Sequence, residues 1–128
     1  MNNSSDRPWR GPGALTLGLF LVASSAWGHA FPDHSEPRVG WTVQTPPARV
    51  RVWFDGALEP AFSTIIVLNT DKQRVDTGDS RVSPSDNTVL EVSLPPLPPG
   101  KYRVFWSVVA RDGHRTGGDF PFTIEVPR

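Results

Sequence analysis

The sequence predicts an all-β fold, a two-sheet Greek-key β-sandwich or barrel of the immunoglobulin-like kind. Two observations carry this. Apolar residues recur with the period of two that a half-buried strand requires, and no convincing amphipathic helix follows His29. Proline and glycine, 14 and 11 among 128 residues, punctuate the chain at short intervals, as in folds built from many short strands.

The chain opens with a segment to be set aside before any fold is considered. Arg7 and Arg10 give a basic start, and Ala14 to Ala23 form an apolar run well short of the roughly 20 residues that span a bilayer. Ala26 and Gly28 then place small residues three and one positions before His29, the requirement of a signal peptidase cut. Residues 1–28 are therefore expected to be a signal peptide and residues 29–128 the mature domain. The alternative for this segment is an uncleaved anchor or a short buried helix.

Along the mature chain, Val50, Val52 and Phe54 alternate with Arg49, Arg51 and Trp53, which describes a strand with one apolar face. Thr64 to Leu68 is a β-branched run closed by the turn-forming Asn69-Thr70-Asp71. A second turn is expected at Ser83 to Asn87, followed by a strand from Thr88 to Leu94. Pro95, Pro96, Pro98, Pro99 and Gly100 then end any central strand. Tyr102, Val104, Trp106, Val108 and Ala110 share one parity, with Phe105 and Val109 on the other, as in a strand covered in part on both faces. Asp112-Gly113-His114 marks its end. After Thr116-Gly117-Gly118, a last strand carries Phe120, Phe122, Ile124 and Val126 on one side, and Pro121 suggests that it lies at a sheet edge.

Composition removes several function classes. The chain has 13 basic and 13 acidic side chains, and loss of the first segment takes away only Asp6, Arg7 and Arg10, so the domain stays near neutral. Such a domain has no electrostatic pull toward nucleic acid or an anionic membrane. Without cysteine it has neither disulfides nor thiolate metal ligands. The five tryptophans and seven phenylalanines of the full chain are read mainly as core, with Trp106, Phe120 and Phe122 buried, Trp27 removed with the first segment, and Trp41 and Trp53 the ones left exposed.

Only three histidines occur: His29, His34 and His114. Cleavage before His29 would give one residue both a free α-amine and an imidazole, two nitrogen donors already tethered for chelation. The amine, with an ordinary pKa of about 7.7 to 8.0, loses its proton readily to an acidic metal near neutral pH. His114 lies two residues after Asp112, and their side chains converge if strand geometry persists. A turn through Gly113 would also permit it. Three nitrogens and one carboxylate oxygen form the tetragonal set that suits Cu(II). His34, at an odd separation from His29, is read as a solvated or capping residue, although Pro32 leaves open a path to the metal. The sole methionine, Met1, lies in the first segment, so the domain lacks the thioether donors that hold Cu(I).

These residues together resemble the CopC family of periplasmic copper-binding proteins, from His29 to Val126. The resemblance rests on His29-Ala30, Ser35-Glu36-Pro37, Val52-Trp53-Phe54-Asp55 and Pro60-Ala61-Phe62-Ser63. It continues through Leu97-Pro98-Pro99-Gly100-Lys101-Tyr102-Arg103-Val104, Trp106-Ser107-Val108-Val109, Asp112-Gly113-His114, Gly118 and Phe120-Pro121-Phe122. It implies one Cu(II) per mature chain held by His29, Asp112 and His114. The expected role is that of a monomeric periplasmic carrier, without membrane insertion after cleavage, acting in copper homeostasis, in resistance or in delivery to an inner-membrane transporter of the CopD type. Some members place a glutamate beside the metal just after the second strand. Here that stretch reads Phe54-Asp55-Gly56, which leaves Asp55 as a shifted and Glu59 as a remote outer ligand. The methionine-rich Cu(I) site of longer members is absent from this sequence.

Two other readings remain at the level of sequence. One is a copper-dependent oxidative enzyme with a histidine brace, against which Asp112 argues, because an in-plane carboxylate favours Cu(II) and fills the position an oxygen substrate needs. The other is a metal-free β-sandwich acting as an interaction module.

Overall fold

A computed structural model describes residues 29–125 and Pro127; the expected signal segment and the expected place of Val126 in the last strand lie outside the described residues. Eight strands run in the order β1 (Pro32–Glu36), β2 (Thr42–Val43), β3 (Arg49–Phe54), β4 (Thr64–Leu68), β5 (Arg81–Val82), β6 (Val89–Ser93), β7 (Gly100–Val109) and β8 (Arg115–Ile124). They form two sheets of four, β1-β3-β6-β5 and β2-β8-β7-β4. Only β5–β6 and β7–β8 pair as sequence neighbours, and the other connections cross between the sheets. The expected β-sandwich is therefore present. No described helix is long and apolar enough to cross a membrane.

The alternation read from the sequence becomes the core. On β3 the residues Val50, Val52 and Phe54 are buried while the intervening ones are not. They meet Leu90 and Val92 from β6, Ile65 and Val67 from β4, Tyr102, Val104 and Val108 from β7, and Phe120, Phe122 and Ile124 from β8. The second face of β7 is covered only in part, with Val109 buried and Phe105 exposed. Trp41 is exposed beneath the Arg38 guanidinium, and Trp53 is half-covered by the stacked His34 ring.

Two expectations are corrected. The last strand starts at Arg115, so Gly117 and Gly118 lie inside it rather than before it. The reason is Trp106 on the neighbouring strand: a Cβ at Gly118 would lie 2.7 Å from the indole Cζ2, so only glycine lets the ring fold over the ladder. Second, β8 is not at an edge, because β2 pairs in parallel with Thr123 and Ile124. Pro121 is tolerated because its carbonyl accepts from Gly40 N–H at 2.8 Å; the nitrogen of a strand residue faces the same way, so no β7 bond is lost. Pro32 does make the first strand irregular, as its position suggested. β1 forms at a sheet edge, with its register irregular between Pro32 and His34.

One end of the sandwich gathers the chemistry-bearing residues. There the β7–β8 hairpin, the segment entering β1 and the β3–β4 connection are tied together. Leu58 bridges Ala110, and Glu59 N–H donates to the Val109 carbonyl at 2.8 Å. The Ser63 hydroxyl donates to the Glu59 carbonyl at 2.8 Å and accepts from Val109 N–H at 3.2 Å. A turn of 3-10 helix, Pro60–Phe62, sits in that connection.

Candidate metal centre

The β7–β8 hairpin loop is closed by backbone bonds, from Ala110 N–H to the His114 carbonyl at 2.9 Å and from Gly113 N–H to the Ala110 carbonyl at 2.8 Å. Gly113 has φ +92°, a left-handed conformation that side-chain-bearing residues rarely adopt. A turn, not a continued strand, thus brings Asp112 and His114 together. Asp112 Oδ1 accepts from His114 N–H at 3.0 Å, and Oδ2 lies 2.6 Å from His114 Nδ1. The carboxylate therefore fixes both the backbone and the ring of His114. Each oxygen keeps a further lone pair, and His114 Nε2 stays out of that contact. The Asp112 carboxyl is held below the usual carboxylate range, first by the His114 N–H and then by the His114 ring, against an opposing effect of burial.

The third member arrives from the other end of the sequence. The His29 and His114 rings are 4.3 Å apart between centroids at 68°, edge to face. Donor atoms of His29, Asp112 and His114 all lie within 4.8 Å of one another. His29 Nε2 is buried and has no hydrogen-bond partner among the described residues. A buried polar atom left in that state costs about 1–3 kcal/mol, so the ring is held by its packing against Phe31 and His114 and not by a bond at that nitrogen. Asp112 and His114 are 28% and 58% exposed in their side chains, which leaves the cluster open on one side.

Other residues considered from sequence fall elsewhere. His34 stacks on Trp53 at 4.4 Å and pairs with Asp33 at 3.0 Å, so its role is on the solvent face of the first sheet. Glu59 pairs with Arg111 Nε at 3.4 Å. Asp55 Oδ1 accepts from Phe31 N–H at 2.8 Å. None of the three belongs to the cluster. Sequence reasoning missed Thr116, whose hydroxyl donates to the Ala30 carbonyl at 2.9 Å and ties the residue after His29 to β8. No local pattern marks it, because its partner is 86 positions away.

Comparison with known proteins gives a family match and several relatives. Residues 33–125 match the family model described as the CopC domain, a match that includes Asp112 and His114 and begins after His29. The chain is 32% identical over 111 residues to the copper transport protein CutJ of Bacillus subtilis, covering 86% of this chain but 20% of that one. It is 30% identical over 119 residues to copper resistance protein C of Escherichia coli, covering 87% and 94% of the two chains. Among solved structures, CopC from Methylosinus trichosporium OB3b superposes with a TM-score of 0.72 at 29% identity, over 78% of this chain and 97% of that one. The methionine-rich copper resistance protein PcoC of Escherichia coli does so with a TM-score of 0.65 at 27% identity, over 76% and 99%.

Proposed function

This chain belongs to the CopC family of copper-binding proteins, and from that premise we propose that it carries a single Cu(II) ion on His29, Asp112 and His114. The observation that supports this most is the convergence of one ligand atom each from His29, Asp112 and His114, all within 4.8 Å of one another. Copper is cargo in this reading, and the work of the protein is to hold it in a chosen oxidation state.

Cleavage before His29 would add the α-amine as a fourth donor, giving three nitrogens and one oxygen. Such a set suits tetragonal Cu(II), the most strongly bound of the common divalent ions. Asp112 keeps its negative charge at any ordinary pH, neutralises part of the ion's charge, and holds the His114 ring in place. Cysteine is absent and the one methionine lies in the first segment, so the mature domain offers Cu(I) no soft ligand. Reduction should therefore loosen the cargo.

Export to the periplasm and a carrier role in copper homeostasis or resistance, handing copper to a membrane importer, follow from the same reading. CutJ supports the link to transport, since this chain spans a fifth of that longer relative. An oxidative enzyme is disfavoured, because a carboxylate donor such as Asp112 would favour Cu(II) over Cu(I) and so slow redox cycling.

An EPR spectrum of the processed protein with one equivalent of Cu(II) tests the reading. A tetragonal signal split by about three nitrogens is expected, with the copper released when ascorbate is added. A protein processed anywhere but before His29, or one holding Cu(I) as tightly as Cu(II), would overturn it.

A further inference from the structure

The segment that delivers His29 to the cluster is itself held from below. β3 ends at Phe54, and the next residue, Asp55, faces Phe31 across the continuation of the β1–β3 ladder. Asp55 N–H donates to the Phe31 carbonyl at 2.9 Å, and Phe31 N–H donates to Asp55 Oδ1 at 2.8 Å. The carboxylate thus replaces the backbone carbonyl that a ladder would use, and Phe31 is gripped at both of its polar backbone atoms. Phe31 in turn sets its ring edge-on to the His29 imidazole, 5.7 Å between centroids. Beside Asp55, Gly56 leaves the His29 carbonyl room to approach, since a Cβ there would sit 3.2 Å from that oxygen.

We propose that Asp55 is a positioning residue for the metal centre: it clasps the Phe31 backbone and so fixes where the imidazole and terminus of His29 stand, without itself touching the metal. This rests on the reading of His29 as a ligand. The physical reason is preorganisation. A chain terminus is the most mobile part of a domain, and a chelate built on one loses affinity unless the protein has already restricted it. The clasp, with the Thr116 bond to Ala30, restricts the two residues that follow His29. Asp55 lies outside the donor cluster, and the hydrogen bond to Phe31 occupies the oxygen that faces the segment.

The exported, processed protein should be compared with its Asp55→Ala and Asp55→Asn variants by competition titration of Cu(II) against a chelator. Asp55→Ala is expected to weaken binding by about 10- to 100-fold, the usual cost of removing a group that orients a ligand. Its EPR signal should stay that of the wild type. Asp55→Asn keeps the Oδ1 acceptor and should restore most of the affinity. Hydrogen exchange in the metal-free protein gives a copper-independent readout: the Phe31 amide should exchange faster in Asp55→Ala and near the wild-type rate in Asp55→Asn. Wild-type affinity in Asp55→Ala overturns the proposal. So does an Asn variant as weak as Ala with an altered EPR signal, which would make Asp55 a ligand. If the wild type fails to bind copper, the functional reading falls, and unchanged Phe31 exchange in Asp55→Ala would remove the clasp separately.

Discussion

The metal end of the sandwich and the solvent face of its first sheet treat polar groups in opposite ways. On the sheet face, Glu36, Arg51, Glu91 and Arg81 lie opposite one another across β1, β3, β6 and β5, alternating in sign. Glu91 is only 4% exposed, yet Arg81 reaches it at 2.8 Å and Arg51 Nε stands 3.3 Å away, close but without hydrogen-bond alignment. Nearby Asp79 accepts from Ser93 N–H at 2.7 Å and Ser93 Oγ at 2.6 Å, and also binds Thr77 and Arg81. At the other end, His29 Nε2 is buried with no partner among the described residues. The difference separates polar groups spent on the fold from donors kept for a ligand. Each region leaves one buried nitrogen without a hydrogen bond, Arg51 Nε and His29 Nε2, so what distinguishes them is opposite-charge pairing on the sheet face against three converging donors at the metal end.

The comparison can be broken most forcefully at the histidines. His114→Ala, or one extra residue left before His29, is expected to weaken Cu(II) binding by orders of magnitude, beyond the roughly 100-fold cost of an outer partner. Thermal unfolding of the metal-free His114→Ala variant should match the wild type, because its exposed ring buries little. A large loss of stability there would mean that the cluster serves the fold after all.

Glu91→Ala should do the reverse. Removing it takes the partner from Arg51 and Arg81, which are partly solvated, and costs about 1–2 kcal/mol, to be read by urea unfolding, while Cu(II) affinity stays unchanged. Weaker copper binding in that variant would show that the two regions are coupled.

Asp79 sharpens the contrast through pH. Its carboxyl is held well below the usual range, chiefly by the Ser93 hydroxyl and N–H, with Thr77 and Arg81 adding to the effect and burial opposing it. Because the folded pKa is depressed, the stabilisation is complete above the unfolded value near about 3.9 and is lost as pH falls toward the folded value. The stability gap between wild type and Asp79→Asn should therefore be constant from about pH 5 to 8 and shrink in stronger acid. Urea melts from pH 8 down into that stronger acid check this, and a gap that grew on acidification would contradict the assignment.

The smallest effect is expected at Thr116. Thr116→Val removes one hydrogen bond to the Ala30 carbonyl, costing about 1 kcal/mol of stability and a few-fold in copper affinity, measured by the same melts and titrations.

Much of this molecule was legible as sequence wherever the controlling interactions are local. The alternation of Val50, Val52 and Phe54 sets which side of β3 faces the core, because successive strand side chains point to opposite faces. Asp112-Gly113-His114 encodes its own turn, since glycine supplies the positive φ and the aspartate bonds its neighbour two residues on. Gly117 and Gly118 were misread as an interruption because their purpose, room for Trp106, belongs to another strand. Pro121 was misread as an edge because pairing with Thr42 and Val43 joins segments distant in the chain.

Local pattern alone thus determined the all-β class, the inward and outward faces, and the identity of the scarce donors. The folded chain decided that His29 stands against His114, that His34 turns to Trp53 instead, and that Asp55 grips Phe31. The physical reason is range. Side-chain parity and turn conformation are fixed within a few bonds, whereas contacts between the two ends of the chain exist only once a common core has closed and paid the entropy of bringing them together.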